Sequence, residues 1–211
     1  MMAILVHSTS PAEDKNRWGT TWECFGDGQE LFGRKFKLDV CAEPATAKVD
    51  RFITSLEWLE QRAGNYFQRG IGFTANDFNP NAKIVGFDAL ELRWENDFWC
   101  NPPFDLKQLF IKKAYQEARA GLSGMMLLPY EPATAWWREL VDGKATAIYE
   151  PDGRYNFFDI DGQTKKRGVN FPSAFVLWTP HHMHYTPKIP FTRGVAKAMG
   201  HNFIYPLQEV A

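Results

Sequence analysis

A stiff turn constrains the fold more than any other feature of this chain. Asn101-Pro102-Pro103-Phe104 lies between an aromatic strand-like run, Phe98-Trp99-Cys100, and a long amphipathic pattern that begins at Leu106. Each proline fixes its own φ and pushes the residue before it away from helix, so one element cannot run on into the next. A strand that ends in such a turn and feeds a helix belongs at the carboxyl edge of an open α/β sheet, where these folds bind ligands. Leu106, Leu109, Phe110, Ala114 and Ala118 repeat at helical spacing, with Lys107, Lys112, Lys113 and Glu117 on the other faces. Asp105 followed by Gln108 predicts a capping box at the start of a helix that runs to about Ala120.

The turn also carries a chemistry. A nucleobase amino group is a poor nucleophile because its lone pair is delocalised into the ring. The Asn101 side-chain oxygen and the Pro102 carbonyl can each accept one N–H, which draws the nitrogen toward tetrahedral geometry and aims its lone pair at a methyl donor. Phe104 offers a flat face for a purine or pyrimidine. An Asn-Pro-Pro turn also occurs as an ordinary strand-to-loop connection; the strand before it and the helix after it favour catalysis.

Around this turn the chain alternates strand and helix patterns, as an α/β sheet does. Strands are expected at Phe36–Cys41, at the continuous apolar run Met125–Pro129 as a buried parallel strand, at Ala145–Tyr149 and at Ser173–Trp178. Helices are expected at Ser55–Ala63 and Thr134–Val141, and residues 64–87, punctuated by glycines and Pro80, read as irregular. No linker or charge run divides the 211 residues, so 1–211 reads as a single domain.

Hydrophobic residues at 45% and aromatics at 15% fit a globular protein rather than a disordered one. A net charge of −1 neither advertises nor excludes a nucleic-acid partner, because local clustering decides that. Two basic clusters stand out, Arg34-Lys35-Phe36-Lys37 and Lys165-Lys166-Arg167. The second lies in a polar connection between aromatic-rich runs and reads either as a charged hairpin or flap, within a recognition loop at 154–170, or as a solvated surface loop. Cys24, Cys41 and Cys100 are odd in number and lack zinc-type spacing, which predicts reduced thiols in a cytoplasmic protein. Cys100 reads as a small apolar residue ending a buried strand rather than as a nucleophile. His181, His182 and His184 have no Cys or carboxylate companions at ligand spacing and read as an exposed loop before Pro187, so no metal is expected. No segment approaches a membrane span, and Met1–Val6 lacks a basic leader.

An ordered series of short motifs then resembles a known family. It comprises Trp18-Gly19-Thr20-Thr21-Trp22, Leu38-Asp39-Val40-Cys41-Ala42 with Ala47-Lys48, Asp88-Ala89-Leu90 with Trp94, and Trp99 to Phe104. It continues through Leu127-Leu128-Pro129, Trp136-Trp137, Gly153-Arg154-Tyr155-Asn156-Phe157 and Pro172-Ser173-Ala174-Phe175. The series resembles the phage-type DNA adenine methyltransferases, small relatives of the Dam enzymes, from about Trp18 to Thr179. The resemblance implies a Rossmann-like, S-adenosylmethionine-dependent methyltransferase sheet with helices on both faces, acting by base flipping on the exocyclic amino group of adenine in DNA. It implies a cytoplasmic location in a bacterial host for a phage- or prophage-encoded protein. Asn101, Pro102, Pro103 and Phe104 would then be catalytic. Asp39, Cys41, Ala42 and Asp88, with Trp18, Thr20 and Thr21, would lie at the donor site, and Arg154, Lys165, Lys166 and Arg167 would contact DNA.

The chain departs from the family pattern in lacking a glycine-rich turn after Leu38-Asp39, in Thr21 where Pro is frequent, and in Thr46 where Asn is common. An Asp that ends a strand can also simply cap the next turn. Amino-methylation of cytosine, RNA or protein glutamine, and a catalytically inactive DNA-binding protein of the same fold, are the alternatives.

Overall fold

In a computed structural model the described residues are 17–56, 81–95, 97–166, 169, 171–181 and 185–195. The expected helix from Ser55 lies outside them beyond residue 56, as do Arg167, His182 and His184. In chain order the elements are β1 (Gly19–Thr20), α1 (Trp22–Phe32), β2 (Leu38–Asp39), β3 (Arg51–Thr54), β4 (Lys83–Phe87) and β5 (Phe98–Cys100). They continue with α2 (Lys107–Arg119), β6 (Gly124–Pro129), α3 (Ala135–Leu140), β7 (Ala147–Pro151), β8 (Phe157–Phe158), β9 (Lys165–Lys166), β10 (Ser173–Trp178) and β11 (Lys188–Phe191).

Eight strands form one sheet in the order β11-β7-β10-β6-β5-β2-β3-β4. From β2 the chain adds β3 and β4 in parallel on one side, then returns to add β5 and β6 in parallel on the other. This is a doubly wound, Rossmann-like α/β arrangement whose order reverses between β2 and β5. β10 runs antiparallel between β6 and β7, so the expected parallel strand at 125–129 is parallel only toward β5.

Side-chain alternation builds a core on each face. On β6, Met126 and Leu128 point with Phe98, Cys100 and Val176 into a cluster roofed by Phe110, Ile111 and Ala114 of α2 and Trp137 of α3. Met125 and Leu127 point the other way, with Trp99 and Phe175, onto Cys24, Phe25 and Phe32 of α1. Helices therefore cover both faces. All six β6 residues are buried, whereas three of the four in β11 are exposed. Because a fully buried large apolar side chain contributes about 1.5–3 kcal/mol, the central strands dominate the stability of the sheet.

Local chemistry explains the differences from the expected elements. α1, absent from the expected set, starts at Thr21, whose hydroxyl accepts the Cys24 N–H at 3.5 Å, and ends at Gly33 with φ 78°. Gly28 lets it approach the sheet: a Cβ there would stand 2.8 Å from the Trp99 ring. β4 occupies 83–87, inside the stretch that reads as irregular. The capping box at Asp105 does not form; α2 follows Leu106 without a side-chain cap, and the Leu106 N–H instead closes the preceding turn on the Pro103 carbonyl at 3.1 Å. Two of the three cations in the basic cluster at 34–37 are ion-paired locally. Asp97, at φ 61°, accepts Arg34 Nε at 2.7 Å and Lys37 Nζ at 3.0 Å. Burial opposes the charge on Asp97, but these two cations outweigh it and hold the carboxyl below its ordinary range.

Candidate active site

The carboxyl ends of β2, β3, β4 and β5 open onto one cleft of about 360 Å³, across the point where the strand order reverses. Asp39, Val40, Cys41 and Ala42 line it from β2, Ile53 and Thr54 from β3, Asp88 to Glu91 from the turn after β4, and Asn101 and Pro103 from the turn after β5. Leu106 and Phe110 of α2 and the segment Arg17–Thr20 close it.

β1 is held over this opening by a second, three-stranded sheet, β1-β8-β9, in which Gly19 pairs with Phe158 and Thr20 with Phe157. The β8–β9 hairpin turns at Gly162, φ 71°, where an added Cβ would lie 2.0 Å from the Ala45 carbonyl oxygen. The hairpin tip is thus seated on the loop after β2, next to the cleft-lining Thr46.

Asn101 is oriented by this cover. Its Nδ2 donates to the Trp18 carbonyl at 3.0 Å, which turns Oδ1 the other way. Among the described residues neither Asn101 Oδ1 nor the Pro102 carbonyl accepts a hydrogen bond, so both acceptors remain available. Pro102 is buried and, like Phe104, lies outside the cleft lining. Phe104 packs edge-on against Trp18, with centroids 6.1 Å apart, and against Phe171 at 5.0 Å.

No glycine-rich turn follows Leu38-Asp39, and the Asp39 side chain ties the loop down. Its Oδ1 accepts the Cys41 N–H at 3.3 Å and its Oδ2 the Lys48 N–H at 3.2 Å, so the carboxylate shapes the loop after β2. Burial pushes its pKa up to about 6 against the pull of those two N–H groups and of the Lys48 charge. Burial also pushes the Lys48 ammonium down, to about 8, although Asp39 attracts it. Lys48 Nζ donates to the Thr46 carbonyl at 2.7 Å and lies 4.8 Å from the Trp22 ring centroid. Asp88 adopts φ 58° and accepts the Leu56 N–H at 3.3 Å. An aspartate in the left-handed region is a local strain that packing sustains, and it often marks a functional position.

Other expected site residues fall differently. Thr20 lines the cleft, but Thr21 is spent on capping α1. Lys165 is exposed, whereas Lys166 is ion-paired with Asp159 at 2.6 Å within the hairpin. Arg154 is exposed, and its carbonyl is held by Arg193. Among the described residues no cluster of His, Cys, Asp or Glu could hold a metal, and no helix is long and apolar enough to cross a membrane.

Sequence reasoning missed Arg17, Glu43 and Thr54. Glu43 stands 3.9 Å from Arg17 across the cleft wall. Thr54 Oγ1 is a buried hydroxyl without a hydrogen-bond partner among the described residues. Its position as a polar residue ending the apolar pair Phe52-Ile53 was the available signal.

The cleft at the switch point, with the Asn-Pro-Pro-Phe turn at its edge, defines an open α/β fold whose cleft lies where such folds bind ligands. Residues 81–193, more than half of the chain, match the family model described as DNA N-6-adenine-methyltransferase (Dam). The chain belongs to that family. The matched span contains the turn and the β8–β9 hairpin.

Among individual proteins, a DNA N-6-adenine-methyltransferase of Haemophilus phage HP1 (strain HP1c1) is 25% identical over 179 residues, 84% of this chain and 86% of that protein. A DNA N-6-adenine-methyltransferase of Escherichia phage T1 is 27% identical over 126 residues, 57% of this chain; the alignment spans 52% of that protein's length. The crystal structure of TrmN from Thermus thermophilus aligns over 74% of this chain and 48% of that one, with 14% identity and a TM-score of 0.35, a likeness too loose to add to the topology itself.

Proposed function

We propose that the protein transfers a methyl group from S-adenosylmethionine to the exocyclic amino group of adenine in DNA. One observation carries this reading. The Asn101 amide, in the cleft lining, is clamped through Nδ2 to the Trp18 carbonyl, which leaves its Oδ1 pre-oriented as an acceptor, and the neighbouring Pro102 carbonyl has no partner among the described residues.

The donor's chemistry fits the residues around the cleft. Besides Asp39, whose carboxylate is turned onto its own loop, three acidic residues, Glu43, Asp88 and Glu91, line the cleft with a single cation, Arg17, so the lining favours a positively charged ligand. Val40, Ile53, Ala89 and Leu90 supply apolar surface among the polar groups, and the volume falls within the range of small-molecule sites. Bound there, the donor supplies an electrophilic methyl on a sulfonium sulfur.

The chain's own residues do the rest. Asn101 Oδ1 and the Pro102 carbonyl accept the two amino hydrogens, pull the lone pair out of conjugation, and stabilise the positive charge that develops on nitrogen. Neutral Asn101 is not a base, so the surplus proton leaves to water after transfer. Phe104 stacks on the extruded base and offsets part of the few kcal/mol that extrusion costs. Lys165 and Arg154, exposed near the hairpin that is tied to the cleft through β1, are the described positions for phosphate contact.

The test is incubation of the purified protein with radiolabelled S-adenosylmethionine and unmethylated DNA, RNA or protein, with digestion of labelled nucleic acid to nucleosides. Label in methylated deoxyadenosine is the expected result. Label in deoxycytidine, RNA or protein would replace the substrate, and absence of both label and donor binding would overturn the reading.

A further inference from the structure

The side chains of Asn101 and Phe104 and the Pro102 carbonyl supply two acceptors and a stacking face, and the Asn101 amide already donates to the Trp18 carbonyl. Acceptors alone recognise an amino group; they do not recognise the ring that carries it. The ring nitrogens of adenine are acceptors and need an N–H or O–H to be read. Trp18 holds an N–H in the right neighbourhood. Its indole Nε1 is buried without a hydrogen-bond acceptor among the described residues. Trp137 and Trp178 also bury unpartnered indole N–H groups, but both sit in the core beneath α2 and α3, while Trp18 lines the cleft.

Three further contacts put Trp18 beside the Asn-Pro-Pro-Phe turn. Its carbonyl holds the Asn101 amide at 3.0 Å. Its ring meets Phe104 edge-on, at 88° and 6.1 Å. It lies nearly parallel to Phe171, at 16° and 6.1 Å, and Phe171 is itself the other edge-on contact of Phe104. Indole is a donor only, so it cannot add a third acceptor to the site. A buried polar group left unpaired is disfavoured unless something completes it, and a ring nitrogen arriving beside Asn101 would do so.

We propose that the Trp18 indole N–H is the donor that reads a ring nitrogen of the target base held at Asn101, which makes Trp18 a specificity-determining residue. The proposal rests on the methyltransferase reading above.

The test compares the wild type with Trp18→Phe, which keeps an aromatic ring and removes the N–H together with the fused five-membered ring, so the comparison across base analogues, not the loss on adenine alone, carries the result. Substrates are unmethylated duplexes carrying a site that the wild type methylates, with the target adenine kept or replaced by 1-deaza-, 3-deaza- or 7-deazaadenine. In the wild type, one analogue should lower kcat/KM about tenfold, the size of one lost hydrogen bond. Trp18→Phe should lose about tenfold on adenine and show no further penalty on that analogue. A penalty that persists in the variant overturns the proposal. So does a wild type that accepts all three analogues as well as adenine, a result that needs no variant to fold. Loss of S-adenosylmethionine affinity in Trp18→Phe by calorimetry, with the analogue penalty intact, would assign the N–H to the donor instead and also overturn it. A folded wild type that binds no donor and methylates no adenine overturns the methyltransferase reading, and the proposal falls with it.

Discussion

Asn101 acquires its orientation from a single hydrogen bond made 83 residues away, to the backbone of Trp18. Without that contact the amide could present either end to an incoming amino group, and only the oxygen end activates it. Asn101→Ala removes one of two acceptors aimed at the developing charge. Turnover should fall by about 10²-fold or more while donor affinity changes by less than about threefold, read by labelled methyl transfer and by calorimetry. A variant that retains most of its activity would remove Asn101 from the mechanism. The stiff turn was legible in the sequence because its geometry is local: two prolines suffice to set it. The grip of Trp18 was not, because nothing near residue 101 or residue 18 names its partner.

At the scale of elements, the β8–β9 hairpin holds β1 over the cleft and carries the exposed Lys165. Its tip is held by the close approach of Gly162 to Ala45, so Gly162→Ala adds both a clash and a left-handed strain. The urea midpoint should fall by an amount corresponding to about 2 kcal/mol or more, and an unchanged midpoint would show that the tip is not seated as described. The two lysines of β9 should separate in DNA binding. Lys165→Ala should reduce the slope of log affinity against log salt by about 0.9, whereas Lys166→Ala should leave that slope nearly unchanged, because its charge is already taken by Asp159. Equal slopes for both variants would contradict this division. β10 matches its expected bounds, Ser173–Trp178, because a central strand is an uninterrupted apolar run. α1 escaped detection because Gly26 and Gly28 lower its intrinsic propensity, which packing against Trp99 and Phe175 overrides.

For the molecule as a whole, the pair Asp39 and Lys48 ties stability to pH. Burial raises the Asp39 pKa from 3.8 to about 6, so this group's contribution to stability is complete below its unfolded value and is lost as pH rises through about 6. Burial lowers Lys48 from 10.5 to about 8, so its contribution is present above its unfolded value and is lost as pH falls through about 8. Between the two values both groups are charged and the buried pair is at its most costly. Asp39→Asn loses part of the backbone cap but carries no charge. Its deficit in urea midpoint relative to the wild type should therefore shrink as pH rises from about 4 to about 6.5, and a deficit that grows over that window would refute the assignment. The α/β class was readable from the alternation of patterns. The strand order was not, since no local signal states that β5 lies against β2 rather than against β4.

By itself the sequence determined what covalent geometry and periodicity impose over a few residues: the stiff Asn-Pro-Pro-Phe turn, the helix after it, the buried central strands and, through an ordered series of motifs, the family. The tertiary structure alone decided which charges are free and which polar groups point at the cleft. Arg34 and Lys37 are consumed by Asp97, Lys166 by Asp159, and the Asp39 carboxylate is turned onto the loop that it shapes. The physical reason is range. Dihedral preferences act between chain neighbours, whereas desolvation and hydrogen-bond pairing depend on groups such as Tyr155 and Asp27, which lie 128 residues apart and meet at 2.6 Å only once the sheet has formed.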